Sequence, residues 1–357
     1  MPTLHIANTF FEHELSNETS ASLTQTIDSH PIHLQLQFLP FLYADEGDYV
    51  GVTALPAHGY LSVLKQWKLP QLNTQLLHDP KIPHFSHLNT WGASHLIKQW
   101  AARHHLPYDI PAWHLVKEIQ SKSFCFQNTP QLKNSALLRT EEDTKNWLSS
   151  CPGPKVLKTC FGLSGRGHLI IDDTTKIETI FQFTAREFKQ ARPVIAQPWV
   201  ERILDFSTQW EIAKDQTITF IGTTLCINDA KGKYIASCIA DEPTLFGEFL
   251  PFLEEHKERA QTLLCALAKL SFFGNIGFDA MIYKEKNSPH LHPIVEINAR
   301  KTMAWAGMMF QRKHAPEEKL TFRFCKGTQG LLPTALLLQN GKCVEFTHNL
   351  AVSISSS

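Results

Sequence analysis

Three side chains that carry oxygen donors, Asp279, Glu296 and Asn298, lie in two short segments of the chain. Hard divalent cations such as Mg²⁺ take carboxylate and amide oxygens, usually only a few, and complete their shell with phosphates and water. Arg300 follows two residues after Asn298 and would add a positive charge beside such a site. A magnesium site and an exposed sheet face with polar residues both fit these segments, so other features of the sequence are needed to distinguish the two.

Both segments, 277–283 and 294–300, predict β-strands because they are short, alternate in polarity and contain β-branched or aromatic residues. Alternate side chains of a strand point to opposite faces. One predicted face carries Asp279, Met281 and Tyr283 together with Glu296, Asn298 and Arg300. The other face, predicted to point into a core, carries Phe278, Ala280, Ile282, Val295, Ile297 and Ala299. The pattern therefore places the three oxygen donors on one surface.

A glycine-rich segment with Gly162, Gly165 and Gly167 offers a second chemical feature. It is neither a phosphate-binding Walker loop nor a dinucleotide fingerprint, because a strand rather than a helix follows it. Backbone N–H groups at glycines can nevertheless approach an anion closely. Lys158 lies four residues before the loop and can bring a point charge to a phosphate. A flexible hairpin tip without function would also explain the glycines taken alone.

Together these features predict a nucleotide held between two lobes, where small ligands commonly bind. The basic strand and glycine hairpin of one lobe would cover a triphosphate, and its magnesium would be held by the other lobe. Residues 197–201 would form the hinge beside the base. Taken singly, Lys158 is also explained as a solvated strand lysine and Asp205 as a turn residue.

Composition limits the function classes. The 357 residues include 34 basic and 34 acidic side chains, so no positive excess favours nucleic acid or an anionic membrane as a partner. No apolar run approaches the roughly 20 residues that span a bilayer, and the N-terminus shows no secretion signal. The length predicts two domains or three lobes with ample core.

The cysteines and histidines point to neither disulfides nor zinc. None of the eight cysteines forms a C-x-x-C pair, and most lie in apolar segments, as Cys265 does, which predicts buried free thiols in the cytoplasm. The close histidine pairs are His84 with His87, His104 with His105, and His290 with His292. They flank prolines or end a helix, so we expect solvated side chains rather than metal ligands.

Periodicity and capping signals predict the main elements. Helices are expected over 59–68, 90–103, 114–124, 140–150 and 254–270. Thr140 and Asp143 fit a capping box. Strands are expected over 32–42 and through a mostly antiparallel region, 154–240. Residues 301–310 fit core packing best, with a substrate-contacting surface as the alternative. Residues 311–320 are expected to form a charged loop, 321–348 strands with a short helix, and the last residues an unanchored end.

In order along the chain, several motifs resemble the ATP-grasp superfamily over roughly 113–310. They are Gln120-Ser-Lys122, Val156-Leu-Lys158, the segment from Gly162 to Gly167, Gln197-Pro-Trp-Val-Glu201 with Asp205-Phe-Ser207, Gly277-Phe-Asp279, and Glu296-Ile-Asn298-x-Arg300. The last motif is the most specific. The resemblance implies an α/β (α+β) ATP-grasp fold in which two α+β lobes grip the nucleotide. We expect an N-terminal α/β domain over 1–112, a lid lobe over 113–200 and a core lobe with a C-terminal extension over 201–357.

The resemblance also implies roles for individual residues. Lys122 and Lys158 would hold the α- and β-phosphates, and the loop with Gly162, Ser164, Gly165, Arg166 and Gly167 would close over the γ-phosphate. Gln197, Trp199 and Val200 would line the adenine, and the ribose would meet Asp205 or Glu201, since the family more often has glutamate there. Asp279, Glu296 and Asn298 would ligate two Mg²⁺ ions, with Mn²⁺ as a substitute. Arg300 would stabilise the transferring phosphoryl group.

The implied activity is an ATP-dependent carboxylate–amine ligase. A carboxylate attacks the γ-phosphate of ATP, and an amine then displaces phosphate from the acyl phosphate. The alternatives are a nucleotide-binding protein without ligase activity and an ATP-dependent small-molecule kinase. Expected partners are a small carboxylate and an amine, amino acids or peptides among them, with no nucleic acid and no membrane. A homodimer is compatible with the sequence, which leaves the oligomeric state, the substrates and the pathway open.

Overall fold

The computed structural model describes residues 2–16, 21–57, 59–78, 85, 87–162 and 167–355. Strands and helices alternate near the N-terminus, and long antiparallel strands dominate the second half. In these described segments, no helix has both the length and the apolar character needed to cross a membrane.

The described residues form strands with these bounds: β1 Thr3–Ile6, β2 Tyr49–Val52, β3 Leu55–Pro56, β4 Asn73–Leu76, β5 His87–Thr90, β6 Ala136–Leu138, β7 Lys155–Lys158, β8 His168–Ile171, β9 Val194–Pro198, β10 Glu201–Ile212, β11 Ile218–Asn228, β12 Tyr234–Ile239, β13 Gly274–Glu285, β14 Ser288–Asn298, β15 Lys319–Lys326, β16 Ala335–Leu337, β17 Cys343–Glu345 and β18 His348–Ser355.

The α-helices have these bounds: α1 Phe11–Ser16, α2 Leu23–Asp28, α3 Pro31–Leu36, α4 Tyr60–Gln66, α5 His95–Arg103, α6 Trp113–Gln120, α7 Lys122–Asn128, α8 Glu141–Ser150, α9 Ile177–Phe188, α10 Glu242–Phe246, α11 Leu250–Lys269 and α12 Met303–His314. Two short 3₁₀ helices cover Leu39–Leu42 and Gly247–Phe249. The helices predicted over 59–68, 90–103, 140–150 and 254–270 are confirmed, with ends that differ by up to five residues.

A parallel sheet in the order β4-β2-β1-β5 organises the N-terminal part of the chain. Parallel strands need crossover connections and bury both faces, so the intervening helices cover the sheet. The predicted apolar stripe of α5 is buried in the same core as strand residues Leu4 and Ile6: Leu96, Ile97, Trp100 and Ala101. This arrangement confirms the α/β class expected for this region.

The second half of the chain is built on a seven-stranded sheet in the order β14-β13-β10-β11-β12-β15-β18. Its strands β13 and β14 contain the predicted metal-binding segments and pair antiparallel, with Asp279 opposite Glu296 and Gly277 opposite Asn298. Helix α11 covers one face of this sheet with its predicted stripe: Ala260, Leu263, Leu264, Leu267 and Ala268. The pairing therefore brings the oxygen donors together as the sequence predicted.

A separate four-stranded antiparallel sheet, in the order β6-β9-β7-β8, faces the seven-stranded sheet across a cleft. Strands β7 and β8 form the predicted hairpin, with Lys158 opposite His168. The tip of the hairpin, residues 163–166, lies outside the described residues. Helix α8 begins at the predicted capping box, in which the Asp143 backbone N–H donates to Thr140 Oγ1 over 3.0 Å.

The strand predicted over 32–42 is wrong, because Pro31–Leu36 form α3 and Leu39–Leu42 form a 3₁₀ helix. Pro31 occupies the first helical turn, where its missing N–H costs nothing. Leu34 and Phe38 are four residues apart and both buried, so a helical face satisfies the same apolar pattern. The side chain of Gln35 is also buried and donates to the carbonyls of Pro333, over 3.0 Å, and His348, over 2.8 Å.

The helix predicted over 114–124 is divided into α6 and α7. Ser121 is extended between them, and its Oγ accepts from Phe124 N–H over 3.1 Å, which starts a new helix. Helix α9 lies inside the region expected to be antiparallel sheet and was not predicted. The charged loop expected over 311–320 is partly helical, because α12 continues to His314. No helix lies within 321–348, a stretch described throughout.

The C-terminal end is anchored, contrary to the prediction. Strand β18 pairs with β15 as far as Ser355, which lies opposite Lys319. Leu350 of β18 is fully buried in the same core as the N-terminal sheet. In addition, Leu55 of β3 pairs with Leu337 of β16. The two ends of the chain therefore pack into one structure.

Two smaller predictions also fail. The pairing of β13 with β14 shifts between Asp279 and Met281, so extra residues on β14 turn Val295 toward the cleft instead of the core. His292 lies in β14 and is only 2% exposed, although a solvated turn was expected. The eight cysteines are free thiols as predicted, but Cys265 lies on the exposed side of α11.

Candidate nucleotide site

A cavity of about 320 Å³ lies where the seven-stranded sheet, the antiparallel sheet β6-β9-β7-β8 and the N-terminal region meet. Most of the site residues predicted from the sequence line it: Lys122, Lys158, Gly162, Gly167, Gln197, Trp199, Val200, Asp205, Asp279, Glu296, Asn298 and Arg300. The structure thus brings together side chains that are separated by up to 178 positions in the chain, from Lys122 to Arg300.

Four predicted residues stand apart from this group. The described structure places Glu201 outside the cavity lining, exposed on β10, with Oε1 3.9 Å from Lys284 Nζ. Since Asp205 does line the cavity, the geometry favours Asp205 over Glu201 for contact with a ribose. The other three, Ser164, Gly165 and Arg166, lie outside the described residues.

The oxygen donors share one hydrogen-bonded cluster. Ser207 Oγ donates to Asp279 Oδ1 over 2.7 Å, and Asn298 Nδ2 donates to Asp279 Oδ2 over 3.2 Å. No group of three or more His, Cys, Asp or Glu side chains within the described ranges is placed to hold a metal ion. A cation bound to Asp279, Glu296 and the amide oxygen of Asn298 would therefore need further ligands, which nucleotide phosphates can supply.

The electrostatics at Asp279 favour a bound cation. Burial, followed by repulsion from Glu296, raises the pKa of Asp279 to about 6, although the hydrogen bonds from Ser207 and Asn298 oppose that rise. Glu296 is paired with Lys122, whose Nζ lies 2.7 Å from Glu296 Oε1. A divalent cation would relieve the repulsion between the two carboxylates, so the donor set fits Mg²⁺ chemically.

Lys122 is the first residue of α7, and backbone contacts fix its position. Its N–H donates to Cys160 O over 2.9 Å, and its Nζ also donates to Gly162 O over 3.3 Å. Two residues before Lys122, the Gln120 side chain accepts from Ala299 N–H over 2.7 Å. This hydrogen bond links the segment to β14, the strand that carries Asn298. Lys122 therefore joins the glycine hairpin to the carboxylate cluster.

Lys158 enters the cavity from β7. Burial lowers the pKa of Lys158 to about 8; Glu296 acts in the opposite direction, and Lys122 adds to the lowering. A cation whose charge is disfavoured by burial gains from an anion placed beside it. Lys122 and Lys158 together can thus hold phosphate oxygens close to the carboxylate cluster.

At the other end of the cavity, Arg202 holds Asp205. Its Nη1 donates to Asp205 Oδ2 over 3.1 Å, and its guanidinium lies 4.9 Å from the centre of the Trp199 ring. Asn228 Nδ2 donates to the same carboxylate oxygen over 2.9 Å. A Cβ on Gly232 would lie 3.1 Å from Trp199, so this glycine lets the β11–β12 turn pack against the ring.

Arg202 was not predicted as part of the site, because strand alternation places residues 202 and 205 on opposite faces. The pairing of β10 with β13 shifts between Arg202 and Leu204, and this bulge turns the two side chains to the same side. Gln197 is buried, and its Nε2 donates to Gln131 Oε1 over 3.1 Å, which fixes the orientation of its side chain.

A polar chain behind the carboxylate cluster was also missed. Thr302 Oγ1 donates to Gln209 Oε1 over 2.9 Å, and Gln209 Nε2 donates to Ser207 Oγ over 2.8 Å. Ser207 then donates to Asp279. The alternation of β10 is the signal that could have identified Ser207, because it lies directly opposite Asp279 in the β10–β13 pairing.

Arg300 lies at the boundary with the N-terminal region. Its Nε donates to Glu12 Oε1, and its Nη1 donates to Lys301 O over 3.0 Å. Lys301 is buried, and its Nζ donates to Asn89 Oδ1 and, over 2.9 Å, to Thr90 O. Nothing in the local sequence of Glu12 signals this contact, because the two partners are 288 positions apart.

No protein-family model matches the chain, and no curated protein sequence matches it. Solved structures do share its fold. The N5-carboxyaminoimidazole ribonucleotide synthetase of Thermus thermophilus is 13% identical, with a TM-score of 0.53 over 100% of this chain and 94% of that chain. A biotin carboxylase of Campylobacter jejuni, solved as a β,γ-ATP complex, is 13% identical, with a TM-score of 0.51 over 70% and 62%.

These likenesses establish the fold, since the identities are too low to show more. The chain has the ATP-grasp fold, as its motifs predicted.

Proposed function

We propose that this protein is an ATP-dependent ligase that joins a carboxylate to an amine through an acyl phosphate and releases ADP and phosphate. One observation carries the proposal: Lys122, Lys158, Asp279, Glu296 and Arg300 line a single cavity in a chain with the ATP-grasp fold. Two cations that can bind phosphate beside two carboxylates that can bind Mg²⁺ form the arrangement that phosphoryl transfer requires.

The nucleotide would lie along the cavity. Its triphosphate would lie between Lys122 and Lys158 under the glycine hairpin, with Gly162, Gly167 and the tip residues Ser164, Gly165 and Arg166 around the γ-phosphate. Its base would lie beside Gln197, Trp199 and Val200. Asp205, which accepts from Arg202 and Asn228, would accept from ribose hydroxyls.

Asp279, Glu296 and Asn298 would hold Mg²⁺, two ions when the nucleotide is bound, and Mn²⁺ would replace it. The metal would neutralise charge on the phosphates during transfer. Lys122 would change partners from Glu296 to phosphate when Glu296 becomes a ligand. The hydrogen bond from Ser207 keeps Asp279 oriented toward the site throughout.

The remaining chemistry is positioning. The carboxylate substrate attacks the γ-phosphate in line, and ADP leaves. The amine, after losing its ammonium proton to solvent, then attacks the acyl carbon; phosphate leaves, and the nitrogen releases a second proton as the amide forms. Arg300, held by Glu12, would stabilise charge on the transferring group. In this proposal residues 113–200 act as the lid lobe, 201–357 as the core lobe, and 1–112 as a domain that completes the substrate end of the cavity.

The test is ATP turnover in Glu296→Gln beside Glu285→Gln. Glu285 is an exposed carboxylate at the far end of the same strand pair, so its variant controls for the loss of a charge. We expect Glu296→Gln to abolish Mg²⁺-dependent release of ADP and phosphate in a protein that remains folded, because the amide oxygen still accepts from Lys122.

Candidate carboxylates and amines would be screened in pairs, with ADP measured by a coupled assay and the product by mass spectrometry. ADP release that needs both substrates supports the ligase. A stable phosphorylated product without an amide would replace it with a kinase, and normal turnover of Glu296→Gln would remove the metal site.

A further inference from the structure

The N-terminal region closes one end of the cavity with a distinctive set of side chains. From residues 2–112, as far as they are described, the lining consists of Thr9, Glu12, Leu36 and Trp91. None of these four is cationic, and Glu12 is the one charged group among them. Phosphate groups are usually bound by Arg, Lys or helix N-termini. Thr9 and Glu12 do lie at the N-terminus of α1, but the Glu12 carboxylate there would repel a phosphate, so this surface is poorly suited to a phosphorylated substrate.

Glu12 is held rigidly in place. It lies on α1, whose Glu14 accepts from Ser94 Oγ over 2.8 Å and from Leu96 N–H over 2.9 Å at the start of α5. The neighbouring Phe11 is fully buried. A carboxylate carried on such a fixed element is preorganised for binding rather than free to move away.

Glycine at position 92 allows α1 to approach Arg300. A Cβ on Gly92 would lie 2.7 Å from Phe11 Cδ2 and 3.0 Å from Arg300 Cβ. The backbones of Gly92 and Arg300 also form an isolated β-bridge. Glu12 and Arg300 are thus brought together by backbone packing, independently of their charges.

Only part of the binding capacity of Glu12 is used. Arg300 Nε donates to Oε1, and Oε2 accepts no hydrogen bond from the described residues. A carboxylate has about four acceptor positions on its two oxygens, so a second cationic donor can bind without displacing Arg300. Trp91 lies in the same wall of the cavity, and an aromatic ring favours both apolar groups and cations.

We propose that Glu12 binds the ammonium group of the second substrate, and that this substrate has an apolar body against Trp91 and Leu36 and carries no phosphate. The inference rests on the proposed ligase function, and it specifies the class of amine. The Thermus thermophilus structure is named for a ribonucleotide, which is a phosphorylated compound. This chain is therefore expected to act on a different class of acceptor from that protein.

The simpler reading is that Glu12 only positions Arg300. The two readings separate in Glu12→Gln, because the amide oxygen still accepts from Arg300 Nε but the negative charge is lost. If Glu12 only positions Arg300, this variant should still bind the amine. If Glu12 binds the ammonium group, this variant should no longer bind the amine.

Thermal unfolding of the full chain in saturating MgADP provides the test. The probes are leucinamide and phenylalaninamide, which have an ammonium group and an apolar body; N-acetyl-leucinamide, which lacks the ammonium; and O-phosphoethanolamine, which adds a phosphate. The variants are Glu12→Gln, Glu12→Asp, which keeps the charge, and Asp45→Asn, a control whose carboxylate is 85% exposed and pairs with Lys313 outside the cavity.

We expect a free apolar amine at about ten times its Kd to raise the unfolding temperature of the wild type by about 2 °C. The shift should disappear in Glu12→Gln, persist in weakened form in Glu12→Asp and be unchanged in Asp45→Asn. The acetylated and phosphorylated probes should give none. The MgADP shift of each variant shows that it has folded.

Three results would overturn the assignment: no amine shift in a wild type that responds to MgADP, an equal shift with N-acetyl-leucinamide or O-phosphoethanolamine, or a full shift in Glu12→Gln. Absence of the MgADP shift itself would instead overturn the proposed nucleotide site. The two failures are therefore distinguishable.

Discussion

Replacing Asp279 with asparagine should stabilise the metal-free protein while removing its response to Mg²⁺ and nucleotide. The carboxyl group lies beside Glu296, and its pKa is raised to about 6 from an ordinary value of 3.8. At neutral pH the folded protein therefore holds a carboxylate that is more stable in the unfolded chain. Asparagine has nearly the same shape and no charge, so it relieves this cost.

The size of the effect follows from the shift. A difference of about two pKa units corresponds to roughly 3 kcal/mol of unfolding free energy. In the variant, an amide replaces the carboxylate that accepts from Asn298 Nδ2 over 3.2 Å in the wild type, so this hydrogen bond becomes weaker. The weaker bond offsets about 1 kcal/mol of the gain in unfolding free energy. We therefore expect Asp279→Asn to gain about 2 kcal/mol at pH 7 in EDTA.

The pH dependence identifies the cause. Between pH 3.8 and 6 the folded state binds more protons at this group than the unfolded state, so wild-type stability falls as pH rises through that window. The variant lacks this fall. Urea unfolding at pH 4, 5, 6, 7 and 8 should show a gap between the two proteins that opens with pH and levels off above about pH 7.

An exposed carboxylate gives the control, since Asp45→Asn should show no such gap. Equal stability of wild type and Asp279→Asn at pH 7, or a gap independent of pH, would refute the electrostatic account of the cluster. Stabilisation of Asp279→Asn by Mg²⁺ and nucleotide equal to that of wild type would refute its role as a metal ligand.

Two further predictions concern the boundary with the N-terminal region. Burial lowers the pKa of Lys301 to about 7 from 10.5, so unfolding takes up a proton and stability rises between pH 7 and 10. Lys301→Met should flatten that rise in urea unfolding, and an unchanged pH profile would contradict the lowered pKa. Gly92→Ala should lower unfolding free energy by about 1–3 kcal/mol, because the added methyl meets Phe11 and Arg300, and wild-type stability would show that the contact is not close.

The sequence predicted the elements whose signals are local. Alternation identified β13 and β14, and the Glu296-x-Asn298-x-Arg300 motif predicted an ATP-grasp fold that the structure has. Helix α11 was predicted because its stripe spans several turns. Such patterns are strong because burial repeats along one element.

Local patterns failed where tertiary contacts decide. Leu34 and Phe38 fit a strand and a helix equally well, and the buried hydrogen bonds of Gln35 to the C-terminal segment accompany the helical choice. The bulge at Arg202 cannot be read from alternation, because alternation assumes a regular strand.

Glu12 shows the limit most clearly. Its partner is 288 positions away, and its place in the cavity depends on the packing of α1 against Gly92. Neither its residue type nor its neighbours distinguish it from any other helix carboxylate. The N-terminal contribution to the site therefore required the structure.

The most direct test of the nucleotide site is thermal unfolding with and without Mg²⁺ and a non-hydrolysable ATP analogue, in wild type, Lys158→Ala and Lys155→Ala. Lys155 is the matched control at the other end of β7, where its Nζ donates to Gly153 O. At about 100 times its Kd the ligand should add about 2.7 kcal/mol to the stability of wild type and Lys155→Ala, and far less to Lys158→Ala. No Mg²⁺-dependent stabilisation of the wild type, or equal stabilisation of Lys158→Ala, would contradict the account.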